Sequence, residues 1–243
     1  MRIKNGDDGF VDPQELLLRT DWNAVEHCCP NVAPATPLIL LQLLDEDPRV
    51  QGAALRDLNQ AVTHQNTFYS ATAPAAAFVA AILEDPRTLA EVSDRTPYED
   101  AHYGAQPPFP LRVGLLNWLR DTAEDANHTA EWPPGEQADI DAFRAVRPAL
   151  FDAARQLLAD DSQEVREAAL TAILPLLTEP DLAHHIPALR DEVRALAVGD
   201  GPHRGRAIDA LASWGEDTSL HPRPTRHVGD VWADMAAPDE PPF

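Results

Sequence analysis

Lysine is all but missing from this chain. Lys4 is the only one in 243 residues, and 19 basic residues stand against 40 acidic ones, a formal net charge of -21. A duplex or an anionic membrane surface is gripped by Lys and Arg side chains that displace counterions. A chain this short of cations is therefore not expected to bind nucleic acid or a membrane. Cationic partners, by contrast, are steered toward such a surface. The acidity also has a plainer source, a bias toward Ala, Arg, Asp and Pro that serves solubility with no partner at all.

Cysteine is nearly as scarce, with Cys28 and Cys29 side by side and no others. A disulfide wants Cα atoms about 5.5 Å apart with converging Cβ vectors, which sequence neighbours do not offer. A disulfide framework is excluded, and free thiols fit a reducing compartment. No stretch reaches the ~18 consecutive apolar residues of a membrane span. Met1 to Asp8 is polar and holds no signal-peptide core, so the expected location is cytoplasmic. A Gly-rich phosphate loop, a Gly-x-Ser-x-Gly elbow and a paired-cysteine zinc motif are missing as well. His27-Cys28-Cys29 has ligand-type side chains but no Cys-x-x-Cys or His-x-x-x-His partner. His184 and His185, consecutive on a helix, are expected on different faces. No catalytic residue, cofactor or metal is expected.

What the chain does have is a recurring turn-plus-helix. Asp45-Glu46-Asp47-Pro48-Arg49-Val50-Gln51-Gly52-Ala53-Ala54-Leu55 is an acidic turn followed at once by a helix with small residues on one face. A second copy spans Ala159 to Leu170, and a degenerate third spans Gly199 to Leu211. Asp47 is placed to cap the first helix with Pro48 at its first position. Val50, Ala54, Leu58 and Ala61 then form a stripe of 3.6-residue period.

The remaining chain reads as helices punctuated by proline. Asp12-Pro13 opens a short amphipathic helix to Arg19. Leu38 to Leu44 is apolar nearly all round, as expected of a buried helix. Thr72 or Ser70 is placed to cap a helix over 75–84. Helices are expected over 111–123, 137–159, 163–178, 182–198 and 202–214, with Pro148 kinking or splitting the second of these. The pattern lapses at 85–110 and at 124–136, and structureless gaps this long inside a helical array are unusual. After Gly215 the chain turns Pro- and Asp-rich, so 216–243 is expected to be a flexible tail with Val231 and Trp232 as anchors.

Aligned on Leu55, Leu170 and Ile208, the copies repeat with a period near 40 residues and two helices per unit. The motif Asp-Pro-x-Val-x-x-Ala-Ala-Leu at 47–55, with its second version at 161–170, resembles the second-helix consensus of HEAT repeats, of the armadillo type. Trp22 to His27, followed by His64-Gln65-x-Thr67-x-Tyr69-x-Ala71-Thr72-Ala73-Pro74, resembles small bacterial HEAT-repeat proteins, some suspected of immunity or regulatory roles. The resemblance implies an all-α fold, a right-handed α-solenoid of about four to five helical hairpins. Residues 34–215 would form the solenoid, with insertions at 85–110 and 124–136, behind N-terminal capping helices at 1–33. In that family the motif's acidic residue caps the helix, and its Val, Ala and Leu fill the core.

Such a scaffold hosts many unrelated functions, so function is sought in the interruptions. The stretch holding Asp94, Tyr98, Glu99, Asp100, His102 and Tyr103 mixes acids suited to basic ligands with aromatics that supply contact area. A second polar and aromatic group, His64, Gln65 and Tyr69, falls at an inter-helix turn, where such side chains also serve helix-end hydrogen bonding. The expected function is a non-enzymatic scaffold or adaptor, in one version an immunity or regulatory protein, engaging a basic partner protein through its acidic surface. The alternative is a HEAT-type lyase- or hydrolase-like enzyme with its site near the 85–110 loop. Iron hydroxylases of this architecture use repeated His-Glu dipeptides, of which this sequence has none.

Overall fold

The computed structural model describes residues 12–28, 35–128 and 136–221. Its described residues are helical almost throughout, with ten α-helices and one two-stranded sheet. The all-α expectation holds at this level. The chain divides into two compact units, Met1–Ala188 and Leu189–Phe243.

In the first unit α1 (Pro13–Arg19), α2 (Thr36–Gln42), α3 (Pro48–Val62), α4 (Thr72–Ile82), α5 (Pro97–Tyr103), α6 (Leu111–Asn127), α7 (Gln137–Gln156) and α8 (Gln163–Ile173) follow one another. Local chemistry sets most helix starts. The Asp12 and Asp47 carboxylates each accept a 2.9 Å bond from the amide two residues on, ahead of Pro13 and Pro48. The second motif copy departs from the expected pattern: Ser162, not Asp161, caps α8 by accepting from the Val165 amide. Asp160 instead holds the Ser162 amide and pairs with Arg112.

Neither Ser70 nor Thr72 caps α4, which begins at Thr72 with Ala71 before it. The buried Thr72 hydroxyl donates to Val62 O at 2.6 Å and accepts from the Tyr69 amide at 3.0 Å, tying the end of α3 to the start of α4. Ser70 Oγ accepts from the Glu26 amide. Pro148 does not split α7, which runs unbroken through it.

Within this unit α2 packs on α3, α3 on α6, α4 on α7, α6 on α8 and α7 on α8, and α1 lies against α4. Leu58, Phe78, Leu115, Leu116, Phe143, Phe151 and Val165 are buried between them. Each such side chain contributes roughly 1.5–3 kcal/mol by leaving water. The motif positions Leu55, Leu170 and Ile208 are all buried, as their shared spacing requires. The face of α3 is less apolar than its stripe, because Gln51 is buried and the side chain of Val50 is only half so. Leu38 and Leu41 are 55% and 46% exposed, so α2 keeps an open side that its sequence did not foretell.

Two interruptions are more ordered than expected. The lapse at 85–110 contains a 3-10 turn (Pro86–Leu89), strand β1 (Glu91–Val92), helix α5 and strand β2 (Phe109–Pro110). Helix α6 continues to Asn127, leaving 129–135 outside the described residues.

The second unit holds most of α9 (Ile186–Val198) and α10 (Arg204–Ser213), joined by a bond from Arg204 Nε to Ala197 O. Val198, the last residue of α9, is 68% exposed. Glu216 opens the segment expected to be a flexible tail, yet it accepts from Arg190 and Arg194 of α9 at 2.7–2.9 Å. Residues 222–243, with Val231 and Trp232, lie outside the described residues.

Candidate functional site

Residues 83–110 form a strap that leaves α4, crosses α3 and delivers the chain to α6. The strap is pinned along its length. Buried Thr88 donates to Asp85 O at 2.7 Å and accepts from Arg112 Nε at 3.1 Å. Gln51 Nε2 donates to Arg87 O, and Arg87 Nη1 donates to Leu44 O. The strand pair closes the base, with Glu91 opposite Pro110 and Val92 opposite Phe109. Ser93 then crosses α3 at Gly52, and Arg56 Nη1 holds Asp94 O at 3.2 Å.

From that base the strap raises α5. Thr96 and Glu99 form a capping box: each backbone amide donates to the other's side chain, at 2.7 and 3.2 Å. Gly104, at φ +82°, turns the chain out of the helix in a conformation that favours glycine. Arg95 Nη1 reaches across to Gly104 O at 3.1 Å and closes the loop on itself. The short helix is therefore held at both ends.

The sequence-selected residues divide sharply in this frame. Tyr98, His102 and Tyr103 come together. The imidazole of His102 lies parallel to the Tyr98 ring, with centroids 5.8 Å apart and planes 5° apart. Tyr103 meets the same imidazole edge-on at 4.6 Å and 89°. The three rings make a corner with a floor and a wall, and both tyrosines are about 70% exposed (73% and 70%). Glu99 is not available to a partner as expected, since its carboxylate serves the cap. The Thr96 amide and hydroxyl bonded to it hold its carboxyl below the usual range. Asp94 is fixed by its carbonyl, while an oxygen of the Asp100 carboxylate is shut from solvent with no hydrogen-bond partner.

His64 and Tyr69 belong to a different place. His64 opens a 3-10 turn after α3 in which Gln65 and Asn66 take left-handed φ values of 53° and 63°. Tyr69 lies against the N-terminal segment, where Cys28 donates its amide to Ala61 O and Ala71 donates to Glu26 O. Burial and a hydrogen bond with Cys28 push the Tyr69 phenol up to about 12, and Glu136 adds repulsion. Asp139, in the first turn of α7, is raised by burial and then by Glu26 and Glu136. No spacing signal links Glu26, Tyr69, Glu136 and Asp139, because they come from three distant stretches. Among the described residues no three His, Cys, Asp or Glu side chains are placed to hold a metal ion.

His184 and His185 are not on different faces. They sit in a 3-10 turn (Ala183–His185) with rings 3.9 Å apart, and His185 stacks on Phe151 at 4.4 Å. His27 is likewise structural: its ring is buried between Trp22 O and the Thr36 hydroxyl. Cys29 lies outside the described residues.

No family model, curated protein or solved structure matches the chain. The site must be read from its own chemistry. No described helix is long and apolar enough to cross a membrane. What the strap offers is an exposed aromatic corner on a short helix held at both ends, in an acidic setting.

Proposed function

We propose that the chain is a HEAT-like α-solenoid that acts as a non-enzymatic adaptor or immunity-type protein and grips a basic partner protein through α5. The solenoid reading is supported by the pairing of helices in the first unit. α2, α4 and α7 follow one another on one side, α3, α6 and α8 on the other, with α2–α3 and α7–α8 as hairpins. Stacked two-helix repeats bury their faces in this alternating way. The strap takes the place of the turn between α4 and α6.

The observation that carries the functional reading is the Tyr98–His102–Tyr103 corner. Large exposed rings on a clamped helix supply contact area at little entropic cost, and aromatic anchors dominate interface energetics. From Glu91 to Tyr103 the strap has four acids, Glu91, Asp94, Glu99 and Asp100, against Arg95 alone. A net charge of -21 steers cationic surfaces toward it.

The test is a titration of a short Arg- and Lys-containing peptide, followed by fluorescence anisotropy between about 50 and about 300 mM NaCl. Binding should weaken with salt, and the joint change Asp94→Asn, Asp100→Asn should weaken it further. Binding indifferent to salt and to both changes would overturn the reading. Glu99 is kept, since its loss would unmake the cap.

A further inference from the structure

The same corner carries a more specific message, which rests on the binding role just proposed. We infer that α5 reads arginine rather than lysine, taking one guanidinium of the partner onto the exposed tyrosine faces. The geometry within the chain already contains a surrogate. His102, a planar ring bearing nitrogen, lies parallel to Tyr98 with planes 5° and centroids 5.8 Å apart, an offset form of the stacking a guanidinium adopts over an aromatic face. Tyr103 stands at 89° to that imidazole and therefore walls the corner from the side. His102 keeps its place between the two tyrosines, and a flat cation stacks on the ring surface that they leave exposed.

Hydration decides between the two basic side chains. Both tyrosines are largely exposed (73% and 70%), so the site cannot strip an ammonium of its tightly held water. A guanidinium is weakly hydrated and planar, and it stacks without full desolvation. Cation–π contacts at exposed sites are worth about twofold to fivefold in affinity per ring. The acids on the strap supply the charge complementarity. Arg95, the one cation among them, is turned to Gly104 O and closes the loop instead of filling the corner.

Rigidity strengthens the case. The capping box at Thr96 and Glu99, the bond from Arg56 to Asp94 O and the Arg95 clamp fix α5 before any ligand arrives. A pre-formed corner loses little order on binding.

The experiment compares hexa-arginine with hexa-lysine, peptides of equal charge, by isothermal titration with the wild-type chain and with Tyr98→Leu, Tyr103→Leu and their double. Tyr98→Phe and Tyr103→Phe keep the ring and serve as controls. We expect hexa-arginine to bind about tenfold tighter, the preference to vanish in the double Leu variant, and the Phe variants to retain most of it. Equal binding of the two peptides would overturn the arginine reading and leave the basic-partner reading standing. Failure of both peptides to bind would overturn both. Sedimentation velocity on the same proteins supplies the last outcome: a wild-type dimer abolished by the Leu changes would assign the corner to a second copy and overturn the inference.

Discussion

Gly52 and Ser93 touch so closely that the helix at this point can only be glycine. A Cβ built on Gly52 would lie 2.1 Å from the carbonyl oxygen of Ser93 and 2.9 Å from its carbonyl carbon. The strap thus crosses α3 backbone on backbone. At Gly114 of α6 the space is taken by side chains instead, since a Cβ there would meet Leu55 Cδ2 at 2.5 Å and Phe109 Cε2 at 2.8 Å. Gly52 lets the strap lie flat on α3, and Gly114 admits the Leu55 and Phe109 side chains against α6.

Gly52→Ala should therefore run against its usual sign. In an open helix interior the change stabilises by roughly 0.5–1 kcal/mol. Here the neighbour is main chain that cannot rotate away, and a loss of about 1–3 kcal/mol is expected from overpacking. Gly205→Ala is the control, because nothing lies within 4 Å of its Cβ and a gain of about 0.5 kcal/mol is expected. Urea unfolding of both variants checks it. A stabilised Gly52→Ala would mean that Ser93 does not cross there.

Arg147 provides a second test, in the interior. Its side chain is 1% exposed, and its Nη atoms donate to Glu179, Thr178, Asn127 and Ala123 O. Burial lowers the guanidinium's proton affinity and Glu179 opposes that shift. Glu179→Gln leaves a buried charge without its counter-ion and should cost about 3 kcal/mol. Arg147→Met with Glu179→Gln should cost less than the sum of the single changes, since the second removes a partner already lost. Additive costs in denaturant unfolding would show that the pair is not coupled.

What was legible in the sequence is what is local. Asp47-Pro48 announces the start of α3 because cap and proline act within three residues, and Leu55, Leu170 and Ile208 share a spacing because they share a buried role. The second copy misleads at one position, where Ser162 takes the cap from Asp161. The aromatic cluster is legible as composition, and Thr96-Pro-x-Glu99 is a capping signature in plain view. Seven helical residues among prolines leave too short a stretch for periodicity to register, so α5 reads as loop. The strap's pins and the Glu26–Tyr69–Asp139 neighbourhood are long-range, and no single stretch encodes them. The histidine pair fails differently: the face rule assumes α-helical rotation, and a 3-10 turn does not supply it.

Asp125 on α6 should respond to pH in the direction opposite to most carboxylates. Burial, then Asp121, raise its pKa from 3.8 to about 6, and Glu124 adds to this while His128 opposes it. A carboxyl whose folded pKa is raised costs stability above about 6, and that cost is relieved as pH falls from about 6 toward 3.8. Asp125→Asn should stabilise the fold at pH ~7.5 by roughly 1 kcal/mol, a figure reduced because the group is only half withdrawn from water. The gain should shrink toward zero at about pH 4, where the native aspartate is protonated. Thermal unfolding of both proteins across this range checks the sign, and a constant difference would refute the shift.

His27 reverses the sign again. Its Nε2 faces Trp22 O at 3.3 Å, so that nitrogen carries the hydrogen, and Nδ1 accepts from the Thr36 hydroxyl at 2.8 Å. This neutral tautomer stitches the N-terminal segment to α2. Burial lowers the imidazole below 6.5, although the bond to Trp22 pulls the other way. A base with a lowered folded pKa contributes stability that is full above 6.5 and lost as pH falls below it, because the unfolded chain takes the proton first. His185, also lowered by burial and then by His184 and Arg155, adds a loss of the same sign. His27→Gln should cost about 1–2 kcal/mol at pH ~7.5 through its lost hydrogen bonds. It should also flatten the decline in urea midpoint between about pH 7 and 5, and His27→Gln with His185→Gln should flatten it further. A decline as steep in the double variant as in the wild type would place the acid sensitivity elsewhere in the chain.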